Sequence, residues 1–131
     1  MASLWLVVGG SRGFGEQLWK TLHQNPVNHL IIYARNKPAE VPESERIHFY
    51  PLDLGKLNEL PAAFASSLEE VKDKSWDQIT MINCAAVLGP MDRVRNFSAS
   101  EFEAIQYAVN INYTSRFITT NIFLNAFEQN K

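Results

Sequence analysis

From residue 8 to residue 15 the chain reads Val8-Gly9-Gly10-Ser11-Arg12-Gly13-Phe14-Gly15, after an apolar run and before a segment of helical spacing. In that context the glycines suit the binding of a phosphate. The first permits a tight turn, the next lets backbone approach an anion, and the last allows a helix to pack closely on a strand. The N–H groups that open the helix, with the helix dipole behind them, then favour negative charge. Gly9, Gly13 and Gly15 are spaced G-x-x-x-G-x-G rather than G-x-G-x-x-G, and no Gly-Lys-Ser/Thr follows as a P-loop requires. A plain strand–helix turn, with glycines used only for packing, is the competing reading of this loop.

Some twenty residues on, Tyr33-Ala34-Arg35-Asn36 closes a second apolar run. Where a dinucleotide site takes NAD, an acidic residue here bonds the ribose hydroxyls. Arg35 is a cation instead, and a guanidinium can donate two parallel N–H bonds to a phosphate. Arg12 lies inside the glycine loop, within reach of the same group. The pair favours NADP(H), with its adenosine 2′-phosphate, over two arginines that are simply solvated.

Other reactive side chains carry less. His23, His29 and His48 show no metal-ligand spacing, so no metal site is expected. Cys84 is the sole cysteine, which excludes an internal disulfide and a cysteine zinc site and suits a reducing, cytoplasmic setting. A reactive thiol needs a neighbouring cation or helix N-terminus, and nothing adjacent in sequence supplies one. Asp92, Arg93 and Arg95 are read as solvated loop charges. The net charge of −2 over 131 residues gives no electrostatic basis for binding nucleic acid or an anionic membrane. No apolar stretch has the length of a membrane span, and Leu4–Val8 lacks the basic flank of a signal peptide.

The elements that must position these residues follow the order strand, loop, helix, strand. Leu4–Val8 is a continuous apolar run, as in a strand buried on both faces. A helix to about His23, a strand over Leu30–Ala34, a proline-bearing loop from Asn36 to Glu45 and a strand over Ile47–Leu52 come next. Leu57–Val71 has one apolar helical face, and Ile79–Ile82 is the fourth strand. Ser98 and Glu101 form the S-x-x-E start of a last helix whose apolar stripe runs from Phe102 to Phe127. This pattern predicts one α/β domain over 1–131, a Rossmann-type parallel sheet of order 3-2-1-4 that stops before a fifth strand.

Taken together, these motifs resemble the short-chain dehydrogenase/reductase family. Gly9 to Gly15 match its glycine loop, and Asp53-Leu54 its acidic position after the third strand. Asn83-Cys84-Ala85-Ala86 matches its Asn-Asn-Ala-Gly motif, and Asn112 its helix asparagine. Gly10–Gly15, Ala34-Arg35-Asn36, Asp53-Leu54-Gly55, Val87-Leu88-Gly89 and Ala126-Phe127 are most similar to the sepiapterin reductase branch. The resemblance implies an NADP(H)-dependent oxidoreductase that acts on a small-molecule carbonyl or alcohol, and a homo-oligomer formed partly through the last helix. It implies that Gly9, Gly10, Ser11, Arg12, Gly13, Phe14 and Gly15 hold the pyrophosphate, with Arg12, Arg35 and Asn36 at the 2′-phosphate. Asp53 and Leu54 would take the adenine, Asn83, Cys84 and Ala85 would line the cleft, and Asn112 would order a proton relay.

The chain departs from the family at Val8, Cys84 and Ala86, where a hydroxyl residue, Asn and Gly are usual, and the helix usual between the second and third strands is expected to be reduced or absent. The family's catalytic Ser and Tyr-x-x-x-Lys lie beyond a fifth strand, and none of Tyr33, Tyr50, Tyr107 and Tyr113 is expected to replace that tyrosine. The expectation is a chain inactive alone, belonging to a longer protein or to an oligomer that covers its open sheet edge. Two rivals remain open: a non-catalytic NADP(H)-binding or sensor module, and a scaffold that acts through protein contacts.

Overall fold

In the computed structural model, residues 1–128 are described; the last three of the expected 1–131 domain lie outside the described residues. Four parallel strands, β1 (Ser3–Val8), β2 (Asn28–Ala34), β3 (Ile47–Pro51) and β4 (Gln78–Asn83), form a sheet of order β3-β2-β1-β4. The expected order is thus the observed one.

Side chains alternate across a strand, so β1 feeds both faces of the sheet. Leu4, Leu6 and Val8 point into one cluster with Ile31, Tyr33, Leu60, Phe64 and Leu68. Val7 joins Trp19, Leu30, Ile32 and Ile47 in the other. Helix α1 (Gly13–His23) covers the second cluster through Trp19. Helices α2 (Leu60–Ser67), α3 (Ala99–Val109) and α4 (Ser115–Ala126) lie on the first side, where α2 packs against α4. Burial of each such large apolar side chain is worth about 1.5–3 kcal/mol.

Two helices differ from the sequence expectation. Helix α2 is shorter than 57–71, and Pro61 explains its start: proline is tolerated in the first turn of a helix but not farther in. Residues 35–46 carry no helix, as expected; an isolated bridge between Ser44 and Ile47 closes that loop. The last helix is not continuous, because a π-helical turn over Asn110–Thr114 joins α3 to α4.

The capping box forms as predicted at the start of α3. Glu101 accepts the Ser98 N–H at 2.8 Å and also the Ser98 hydroxyl. The Ser98 hydroxyl, with the Ser98 N–H second, pulls the Glu101 carboxyl from its ordinary 4.5 down to about 2. A depressed folded-state value means that the stabilisation is complete above the ordinary value and is lost as pH falls through the lowered one. Helical circular dichroism should therefore decline between about pH 4.5 and pH 2, and Glu101→Gln should flatten that slope.

Not all of the apolar stripe on the last helix is covered. Phe102, Tyr113, Phe117 and Leu124 are each more than half exposed, whereas Ile111 and Phe127 are buried in the core. Strand β4 ends the sheet and pairs with β1 among the described residues.

Candidate functional site

At the carboxyl ends of the strands lies a cleft of about 280 Å³, where open α/β sheets bind their ligands. The glycine loop forms one wall, and its shape follows from contacts that only glycine allows. Gly9 has φ +89, and a Cβ there would lie 2.5 Å from the Ala85 nitrogen. A Cβ on Gly15 would lie 2.1 Å from the Gly9 carbonyl oxygen. Gly13 has open space around it but φ +60, so its requirement is conformational.

The loop is tied down from below. The N–H groups of Gly9 and Gly10 both donate to the Tyr33 carbonyl, at 2.8 and 3.2 Å. The buried Trp19 indole donates to the Gly10 carbonyl at 2.9 Å, and a Cβ on Gly10 would strike Ile32 at 2.4 Å. Trp19→Phe should leave that buried carbonyl without its donor and cost about 1–3 kcal/mol. The unfolding midpoint in urea checks this, and an unchanged midpoint would show that the bond contributes nothing net.

The structure brings together Gly9, Ser11, Arg12, Gly13, Phe14, Gly15, Arg35, Asp53, Leu54, Cys84 and Ala85 around the cleft. Gly10 lies beneath the loop, packed on Ile32, and Asn36 is exposed outside the lining. Asn83 ends β4 opposite Val8, also outside the lining. Asn112 sits in the π turn and faces the loop after β4. Its Oδ1 accepts the Val87 N–H at 2.9 Å and its Nδ2 donates to the Val87 carbonyl at 2.6 Å. It thereby pins the loop that follows Cys84 and Ala85.

Sequence reasoning missed Tyr107 and Ile111, which also line the cleft. Their spacing of four is visible in the sequence, but neither belongs to the apolar stripe that marks the last helix. It also missed the cation near Cys84. Arg116, thirty-two residues away, donates to the Ala85 carbonyl at 3.0 Å and draws the Cys84 thiol downward. Burial outweighs it, and the thiol stays above its ordinary range. A thiol so placed is a poor nucleophile at neutral pH.

The Tyr-x-x-x-Lys spacing does occur once, at Tyr33 and Lys37. Four residues span about 6 Å on a helix but about 13 Å on a strand. Tyr33 lies in β2 and Lys37 beyond its end. The Tyr33 hydroxyl is buried, 2.7 Å from the Ser67 hydroxyl, and burial raises its pKa far above the phenol range. The two side chains do not form a proton-donating pair. Ser115 is equally occupied, donating to the Ile111 carbonyl in the π turn before its helix. Among the described residues no group of histidine, cysteine and acidic side chains could hold a metal ion, and no helix is long and apolar enough to cross a membrane.

A parallel sheet of order 3-2-1-4, a glycine loop opening onto α1, and an acid after β3 are the frame within which comparison becomes informative. The sequence profile of the short chain dehydrogenases matches residues 4–131. The chain belongs to this family. A bovine protein, short-chain dehydrogenase/reductase 3 of Bos taurus, is 25% identical over 126 residues, covering 91% of this chain and 39% of its own length. The human protein of that name matches to the same extent. This chain therefore spans well under half of these curated relatives.

Among solved structures, a short-chain dehydrogenase/reductase from Burkholderia vietnamiensis superposes with a TM-score of 0.84 at 19% identity, over 96% of this chain and 59% of that one. A short chain dehydrogenase from Leptospira borgpetersenii with bound NAD+ gives 0.75 at 22% identity, over 98% and 47%. NADPH-bound carbonyl reductase from chicken fatty liver gives 0.71 at 18% identity, over 98% and 52%. At such identities these structures speak to the fold alone.

Proposed function

We propose that this short-chain dehydrogenase chain is the cofactor-binding part of an NADP(H)-dependent oxidoreductase that reduces a small carbonyl or oxidises the corresponding alcohol. What carries the reading is that Arg12 and Arg35 both line the cleft, while the segment closing β2, Ala34-Arg35-Asn36-Lys37, holds no acid. The cradle also fits a pyrophosphate: at Gly9, Gly10 and Gly15 a Cβ would fill space the loop needs, and the first turn of α1 supplies backbone donors. When bound, the dinucleotide supplies hydride exchange.

In this reading Gly9 to Gly15 hold the pyrophosphate, and Arg12 and Arg35, with Asn36 beside them, meet the 2′-phosphate. Asp53 and Leu54 take the adenine, while Cys84, Ala85 and Asn83 border the nicotinamide. Asn112 orders a proton relay by fixing the Val87 backbone. In this reading the chain alone is inactive, because among the described residues no tyrosine–lysine pair is placed to donate a proton. The bound cofactors of the solved neighbours, NADPH in one and NAD+ in another, are compatible with the fold, so the arginines and not the likeness favour NADP(H). A sepiapterin-reductase-like carbonyl substrate follows from motif similarity only. The lone cysteine fits a cytoplasmic setting, and the exposed Phe102, Tyr113, Phe117 and Leu124 fit a homo-oligomer contact.

Calorimetric titration of the chain with NADPH and with NADH tests the reading. NADPH should bind at least about tenfold more tightly, the worth of one charge-assisted hydrogen bond. If neither nucleotide binds to demonstrably folded chain, the cofactor reading fails for it and a scaffold acting through protein contacts is favoured.

A further inference from the structure

Asp53 and Tyr107 are 54 residues apart in sequence and meet at the edge of the cleft. Asp53 Oδ1 accepts the Gly55 N–H at 2.9 Å and the Tyr107 hydroxyl at 3.2 Å. The phenol ring is also fixed by contact. A Cβ on Gly55 would come within 1.9 Å of Tyr107 Cε2, so ring and loop approach at a distance that only glycine permits. Asn110, three residues on, donates to the Gly55 carbonyl at 3.3 Å and is itself bonded by Gln106 at 2.9 Å. Helix α3 and the π turn that follows it thus grip the 53–55 loop at both its carboxylate and its backbone.

We propose that Tyr107 is a positioning residue for base recognition, holding Asp53 by Oδ1 so that Oδ2 is left as the acceptor for the exocyclic amine of an aminopurine. The inference rests on the dinucleotide reading above and assigns it a specificity. An ionised carboxylate only accepts hydrogen bonds, so an oxopurine presents it with a second acceptor in place of a donor. Without the hydroxyl the carboxylate is held at Oδ1 by the Gly55 N–H alone, and the distinction between the two bases narrows.

The test is titration of the chain and of Tyr107→Phe with NADPH, with its deaminated analogue bearing hypoxanthine, and with 2′-AMP. The substitution keeps the ring against Gly55, and circular dichroism verifies folding. The unaltered chain should prefer NADPH over the analogue by about tenfold or more. Tyr107→Phe should weaken NADPH several-fold, leave the analogue nearly unchanged, and so narrow the ratio. If Tyr107→Phe keeps the original ratio, the proposal is overturned while nucleotide binding stands. If both dinucleotides fail but 2′-AMP binds in a Tyr107-dependent way, the base site stands and the dinucleotide reading falls. If 2′-AMP also fails to bind, both are overturned.

Discussion

Gly15→Ala should abolish NADPH binding, an expected loss of at least about 100-fold, and should also lower stability. Local propensity alone points the other way, since alanine in a helix is favoured over glycine by about 1 kcal/mol. Packing decides the sign. The added Cβ would sit 2.1 Å from the Gly9 carbonyl oxygen and 3.2 Å from Cys84 Cβ. The nearest of these is backbone, so no side chain can swing aside. Either the loop lifts or α1 retreats, and an overpacked site of this kind costs about 1–3 kcal/mol. A shift of an ångström in the cradle also removes the alignment of the backbone donors. Urea unfolding and calorimetric titration read the two effects separately. Tight binding by the variant would sink the view that loop geometry makes the site.

Arg35→Asp should reverse the nucleotide preference. It removes a guanidinium capable of a bidentate phosphate bond, worth about 1.5–3 kcal/mol for each charge-assisted bond. It also places a carboxylate where a 2′-phosphate would come. NADPH affinity should fall by about 100-fold or more, while NADH, with free ribose hydroxyls that an acid can accept from, holds or gains. Arg35 is exposed, so folding should be unaffected. Added salt should weaken NADPH binding to the unaltered chain and narrow the gap between the two proteins. Equal responses of both nucleotides to the substitution would remove the basis for assigning NADP(H).

How much of this was legible in the sequence depends on whether the deciding contact is local. Leu4–Val8 and Leu30–Ala34 are apolar throughout because both faces of their strands are buried, and a run of that kind is read without context. The Ser98–Glu101 cap is four residues long and equally local. The π turn at Asn110–Thr114 has no such signature. It accompanies Asn112 reaching Val87 with both ends of its amide, a contact over 25 residues. Buried Ser115 and Thr119 then bond carbonyls one turn back, a habit that bends helices. The Arg116 cation beside Cys84 and the grip of Tyr107 on Asp53 are likewise products of folding. In the site, the glycine spacing and Arg35 could be read directly, whereas Tyr107 and Ile111 carry no local signal that sets them beside the cleft. Pro61 was the one local signal overlooked, and it sets the start of α2.

The double acceptance at the Tyr33 carbonyl gives the cleft a fixed scale. Gly9 and Gly10 hang from that single oxygen, and Arg35 follows two residues later, just past the end of β2. The interval from cradle to cation is therefore at most about 7 Å of backbone, set by the end of β2 and indifferent to the wandering segment after it. The 36–46 loop can be lengthened or trimmed by evolution or design without recalibrating that interval. A single residue inserted within β2 would instead turn every later side chain of the strand to the opposite face, and this caliper would close on nothing.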